Sequence, residues 1–78
     1  MIKYSLDFIL HVHDVSAQTL TNSLTEFSEG LRISEKPPES GSGTHFAIDL
    51  RAEDPTLIFD ICSQFGRIKS VKVDEVKV

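Results

Sequence analysis

Tyr4, Leu6, Phe8, Leu10 and Val12 fall on one parity of a single stretch, with Ser5, Asp7, Ile9, His11 and His13 on the other. A period of two marks a strand buried on one face. Residues 3 to 12 are therefore expected to form strand one, and something else in the chain must cover its apolar side.

The next segment changes period. Asp14 or Ser16 supplies a helix cap, Ala17, Leu20, Leu24 and Phe27 recur at three- and four-residue steps, and Gly30 offers a stop. Leu31 and Ile33 open a short second strand. It runs into Lys36-Pro37-Pro38-Glu39-Ser40-Gly41-Ser42-Gly43, whose prolines and glycines sustain neither ladder nor helix, so Pro37 to Gly43 are expected to be a mobile hairpin tip. Phe46, Ile48 and Leu50 then alternate with His45, Ala47, Asp49 and Arg51 as strand three. Asp54-Pro55 starts a second helix with an apolar stripe of Ile58, Ile61, Cys62 and Phe65, and Gly66 is expected to end it. Arg67 to Val76 read as strand four with Val71 and Val73 inward, and Ile68 breaks the alternation in the manner of a bend or bulge at the strand entry.

The order β-α-β-β-α-β with short connections predicts an α+β, ferredoxin-like sandwich, one domain over residues 1–78. Its antiparallel sheet is expected in the order 4-1-3-2 with two helices on one face. The other face is left open, and there the chemistry-bearing side chains of strands one and three collect.

Composition narrows what such a domain can do. Seventy-eight residues leave room for one small core, for which oligomerisation is a natural supplement. A formal net charge of −4 argues against nucleic acid and against an anionic membrane surface as partners, whereas a small molecule or a protein fits it. The charge is uneven: from Arg67 onward Arg67, Lys69, Lys72 and Lys77 stand against Asp74 and Glu75. Cys62 is the single cysteine, so no internal disulfide forms, and a cytoplasmic location is expected. No stretch approaches the ~20 apolar residues of a membrane span, and no signal peptide is evident at the start.

Two clusters are candidate sites. If Asp7 faces Arg51 across strands one and three, His13 lies opposite His45, with His11 two residues away on the same face. Three imidazoles in that arrangement are the donors for a transition-metal ion such as zinc, nickel or copper. The arrangement is similar in topology to nickel-responsive regulators, which use an H-x-H strand; here the pair His11-Val12-His13 ends strand one. The second cluster is the corner Asp14, Val15, Ser16 and Ala17, followed by Leu20 and Leu24.

This corner and the element order resemble ACT-type regulatory domains, in which an aspartate introduces helix one and backbone amides receive an amino-acid ligand. Ser16 and Ala17 stand where that family carries a glycine. The resemblance implies a ligand at Asp14 to Ala17, while the small core and the unpaired strand edges lead to the expectation of a homo-oligomer. No nucleophile is paired with a base and no cofactor motif occurs, so the chain is expected to be a non-catalytic, small-molecule- or protein-binding regulatory module, with metal binding by His11, His13 and His45 as the alternative.

Overall fold

The computed structural model describes residues 2–36 and 43–77. Four strands and two helices follow in the order β1 (Ile2–Val12), α1 (Ala17–Leu24), β2 (Glu29–Lys36), β3 (Thr44–Ala52), α2 (Pro55–Ser63) and β4 (Gly66–Lys77). The strands form one antiparallel sheet in the order β2-β3-β1-β4, which is the series 4-1-3-2 counted from the opposite edge. β1 and β3 are central, and β2 and β4 are edges. This α+β arrangement is compatible with a ferredoxin-like fold.

Alternation decides which side is covered. Leu6, Phe8, Leu10 and Val12 of β1 and Phe46, Ile48, Leu50 and Ala52 of β3 are buried against Leu20 and Leu24 of α1 and Ile58 and Cys62 of α2. Each leucine, isoleucine, valine or phenylalanine so removed from water contributes roughly 1.5–3 kcal/mol, which is what holds so short a chain together against its conformational entropy. Phe8 meets Phe59 of α2 edge to face, with ring centroids 5.5 Å apart, tying sheet to helix at the middle of the core.

The helix starts follow the sequence. Ser16 is the cap of α1, its Oγ accepting the Thr19 N–H at 3.2 Å. Asp54 caps α2, its Oδ1 accepting the Leu57 N–H, and Pro55 occupies the first turn, where a missing N–H costs nothing. The helix ends do not follow it. α1 stops at Leu24 and tightens into a 3₁₀ turn over Thr25–Phe27, so Phe27 leaves the apolar stripe and is 44% exposed. Thr21, Ser23, Thr25 and Ser28 each donate a side-chain hydroxyl to the carbonyl four residues back, the local competition that weakens Ser- and Thr-rich helices.

Gly30 is therefore not the helix stop. It lies in β2 with φ of 62°, where the register against β3 shifts between Glu29 and Arg32. Gly66 likewise begins β4 rather than closing α2. A Cβ there would overlap the His11 carbonyl oxygen, so glycine lets β4 start flush against the end of β1.

The bulge expected at the entry of strand four lies farther along it. Register slips between Asp7 and Ile9 of β1, opposite Ser70 and Val71, and Ser70 has φ of 53°. Val73 pairs with Leu6 on the helix side, as expected, but Val71 and Val73 stay 49% and 44% exposed. The hairpin tip from Pro37 to Ser42 lies outside the described residues.

Candidate functional site

The uncovered side of the sheet is laid out by its own register. β1 pairs with β3 so that Asp7 faces Asp49 and His11 faces His45. The pairing of Asp7 with Arg51, and of His13 with His45, is thus corrected by a shift of two residues. A two-residue slip keeps every side chain on its face, so the open side is composed as expected although its partners differ.

Read across all four strands, the open face is a stack of rows about 7 Å apart, each about 14 Å wide from β2 to β4. The first row is Lys36, His45, His11 and Arg67, and the second is Ser34, Ala47, Ile9 and Lys69. The third is Arg32, Asp49, Asp7 and Lys72. The fourth is Glu29, Arg51, Ser5 and Asp74, and beyond it Lys3 lies beside Val76.

These rows hold seven of the chain's eight lysines and arginines but only four of its twelve carboxylates. A chain of net charge −4 therefore carries a face with a surplus of three positive charges. The surplus is concentrated, since the first two rows bear Lys36, Arg67 and Lys69 and no carboxylate. In the third row Asp7 and Asp49 stand directly opposite one another. Like charges so placed repel, and Arg32 and Lys72 flank them on either side.

The histidines do come together. The rings of His11 and His45 are stacked, with centroids 4.3 Å apart and planes 2° from parallel, and His13 lies past the strand end with its ring centroid 5.0 Å from that of His11. Gly43 closes the corner: a Cβ on it would lie 2.5 Å from His11 Nε2 and 2.9 Å from His13 Cε1. Its φ of 99° suits glycine for the same position. His45 Nδ1 is buried, with no hydrogen-bond partner among the described residues.

Stacking bears on the metal chemistry. An imidazole lone pair lies in its ring plane and binds an ion at about 2 Å, so two parallel, stacked rings direct their lone pairs into separate planes that one ion cannot occupy together. Among the described residues no group of three or more His, Cys, Asp or Glu stands in position to hold a metal ion.

The corner Asp14 to Ala17 has other uses in the fold. Asp14 turns the chain out of β1 with φ of 57°, Val15 packs against the core, and Ser16 gives its hydroxyl to the helix cap. Asp14, Ser16 and Ala17 are exposed.

A cavity of about 300 Å³ lies at the opposite end of the sheet, lined among others by Lys3, Phe27, Glu29, Arg51, Asp54 and Leu57. Lys3 reaches Glu29 at 2.6 Å beside it. The hydrogen bond from Lys3, and then its charge, hold the Glu29 carboxyl below its ordinary range. Cys62 is wholly buried, and desolvation pushes its thiol up to about 11, so it is no nucleophile at neutral pH.

What sequence reasoning missed is the cationic half of the face. Its signal was present in the basic run from Arg67 to Lys72, which needed the β4 register, bulge included, to be turned into a surface. No family model matches the chain, and neither a curated protein nor a solved structure matches it.

Proposed function

We propose that the chain is a non-catalytic binding and regulatory module, ferredoxin-like and ACT-like in shape, that self-associates and uses the open face of its sheet to hold an anionic partner. The observation that carries this reading is the sorting of charge: seven cations gather on one face of an acidic chain. Charge sorted in this way steers and orients a partner.

The shape of the surface favours a large partner over a small one. Small ligands sit in concavities that remove most of their surface from water, whereas a sheet face meets its partner by extended contact. Self-association rests on the β4 edge, where Val71 and Val73 lie half exposed beside a row of backbone groups open to a second copy.

Retention on phosphocellulose at pH 7 and low salt tests the face. A protein of net charge −4 should nonetheless bind this cation exchanger through its first two rows, and the variant K36E/K69E should flow through with an unchanged circular dichroism spectrum. Flow-through of the unmodified protein, or equal retention of both, would overturn the reading.

A further inference from the structure

We infer that the cavity between the 3₁₀ turn after α1 and the first turn of α2 is a second binding site, and that its ligand is a small organic cation, an amine carried on an apolar body. The site lies at the end of the sheet away from the first two rows of the open face. It stands or falls independently of the anionic partner read onto those rows.

The apolar part of the wall sets the ligand's body. Phe27 and Leu57 are 44% and 36% exposed, and both line this cavity together with the buried Ala52. Phe27 is there because α1 gives way to the 3₁₀ turn over Thr25–Phe27, which takes its ring out of the core stripe. A volume of about 300 Å³ is at the small end of ligand pockets. The body it suits is a single ring or a short aliphatic chain.

Charge sets the sign. Glu26, Glu29, Glu53 and Asp54 line the cavity against Lys3 and Arg51. Both cations are engaged, since Lys3 Nζ lies 2.6 Å from Glu29 and the charge of Arg51 acts on the same carboxylate. Asp54 accepts the Leu57 N–H as the cap of α2. Glu26 and Glu53 are exposed and have no ion pair among the described residues. An entering cation therefore meets two uncommitted carboxylates, whereas an anion is repelled by all four and must draw Lys3 or Arg51 away from Glu29.

The kind of cation follows from both walls. Among the described residues no group of three or more His, Cys, Asp or Glu stands in position to hold a metal ion, so these carboxylates are not a metal cage. An inorganic ion would also leave Phe27 and Leu57 wet. An ammonium group on an apolar body covers those side chains while its charge meets Glu26 or Glu53, and the aromatic ring of Phe27 attracts the same charge.

2-Phenylethylamine, titrated at pH 7 and low salt into isotopically labelled protein and followed by backbone amide shifts, tests this. Saturable shifts should centre on Phe27, Ser28, Glu53 and Leu57 and leave Lys36, His45 and Lys69 unmoved. 2-Phenylethanol keeps the ring without the charge, and 3-phenylpropionate reverses the charge; each should bind at least about fivefold more weakly, roughly the worth of one exposed charge contact. E26Q/E53Q, with an unchanged circular dichroism spectrum, should bind the amine no better than the alcohol, and F27S should weaken amine and alcohol alike. K36E/K69E, altered on the open face, should keep amine binding within about twofold, because distant sites act independently.

The inference is overturned if the amine gives no saturable shift at tens of millimolar, if its shifts centre elsewhere, or if the alcohol or the carboxylate binds as tightly as the amine. Unchanged amine affinity in E26Q/E53Q would overturn it as well. So would tighter binding of zwitterionic L-phenylalanine than of the amine, which would mean that Lys3 or Arg51 leaves Glu29 for a ligand carboxylate.

Discussion

His11 and His45 face one another across the β1–β3 ladder with rings 4.3 Å apart and 2° from parallel, and the buried Nδ1 of His45 has no hydrogen-bond partner among the described residues. A buried polar atom left unpaired costs about 1–3 kcal/mol, and a shape-conserving apolar replacement removes that cost. His45→Phe keeps a flat ring against His11, so urea unfolding should show it to be as stable as the native chain or more stable by about 1 kcal/mol. A loss of more than about 1 kcal/mol would mean that Nδ1 is satisfied.

Two glycines of β-strands should respond unequally to the same substitution. At Gly66 a Cβ overlaps the backbone of His11, whereas at Gly30 it meets none of the described residues within 4 Å and only the positive φ is strained. Gly66→Ala should cost about 3 kcal/mol or more and broaden or abolish the unfolding transition. Gly30→Ala should cost about 1 kcal/mol. Equal effects would show that β4 does not start against His11 as described.

Much of this fold was legible from the chain, and the reason is physical. The alternation of Leu6, Phe8, Leu10 and Val12, and of Phe46, Ile48 and Leu50, reports which side meets the core, because a single slip would bury Asp7 or Asp49. The Asp54-Pro55 start of α2 is equally local. What was not legible depends on partners distant in sequence. The pairing of His11 with His45 rather than His13 with His45 preserves every buried residue, so hydrophobic pattern cannot choose between the two registers. Gly30 and Gly66 read as helix stops because glycine signals a need for space or for positive φ without saying which neighbour imposes it. The cationic strip, drawn from β2 and β4, became visible only when four strands were placed side by side.

Cys62 reports on global opening. Its side chain has no exposure, so iodoacetamide should label it only through unfolding, at a rate that follows stability as urea is added. Burial raises the thiol from 9.0 to about 11, which means that the folded state holds the proton more tightly than the unfolded one. The stability this confers is therefore complete below pH 9 and is lost as pH rises from about 9 to 11. Unfolding titrations across that window should show a steeper decline for the native chain than for Cys62→Ala, and parallel curves would contradict the assignment.

The edge of β4 should make the chain more than a monomer. Val71 and Val73 are the half-exposed apolar residues of an edge strand, and pairing with a second copy would cover them together with the open backbone groups. Lys69 and Lys72 point to the opposite, open face and are left free by such pairing. Sedimentation equilibrium at tens of micromolar protein should return a mass above that of one chain, and Val73→Lys should return one chain. A monomer before substitution would leave the β4 edge to another partner.

The account stands most directly on where an anion binds. Inorganic tripolyphosphate, titrated into isotopically labelled protein at millimolar concentration and followed by backbone amide shifts, should move the amides of Lys36, His45, His11, Arg67 and Lys69, leaving α1, α2 and the cavity beside Phe27 and Leu57 unmoved. Shifts centred on the helices or on that cavity, or none at all, would contradict the claim that the open sheet face is the binding surface.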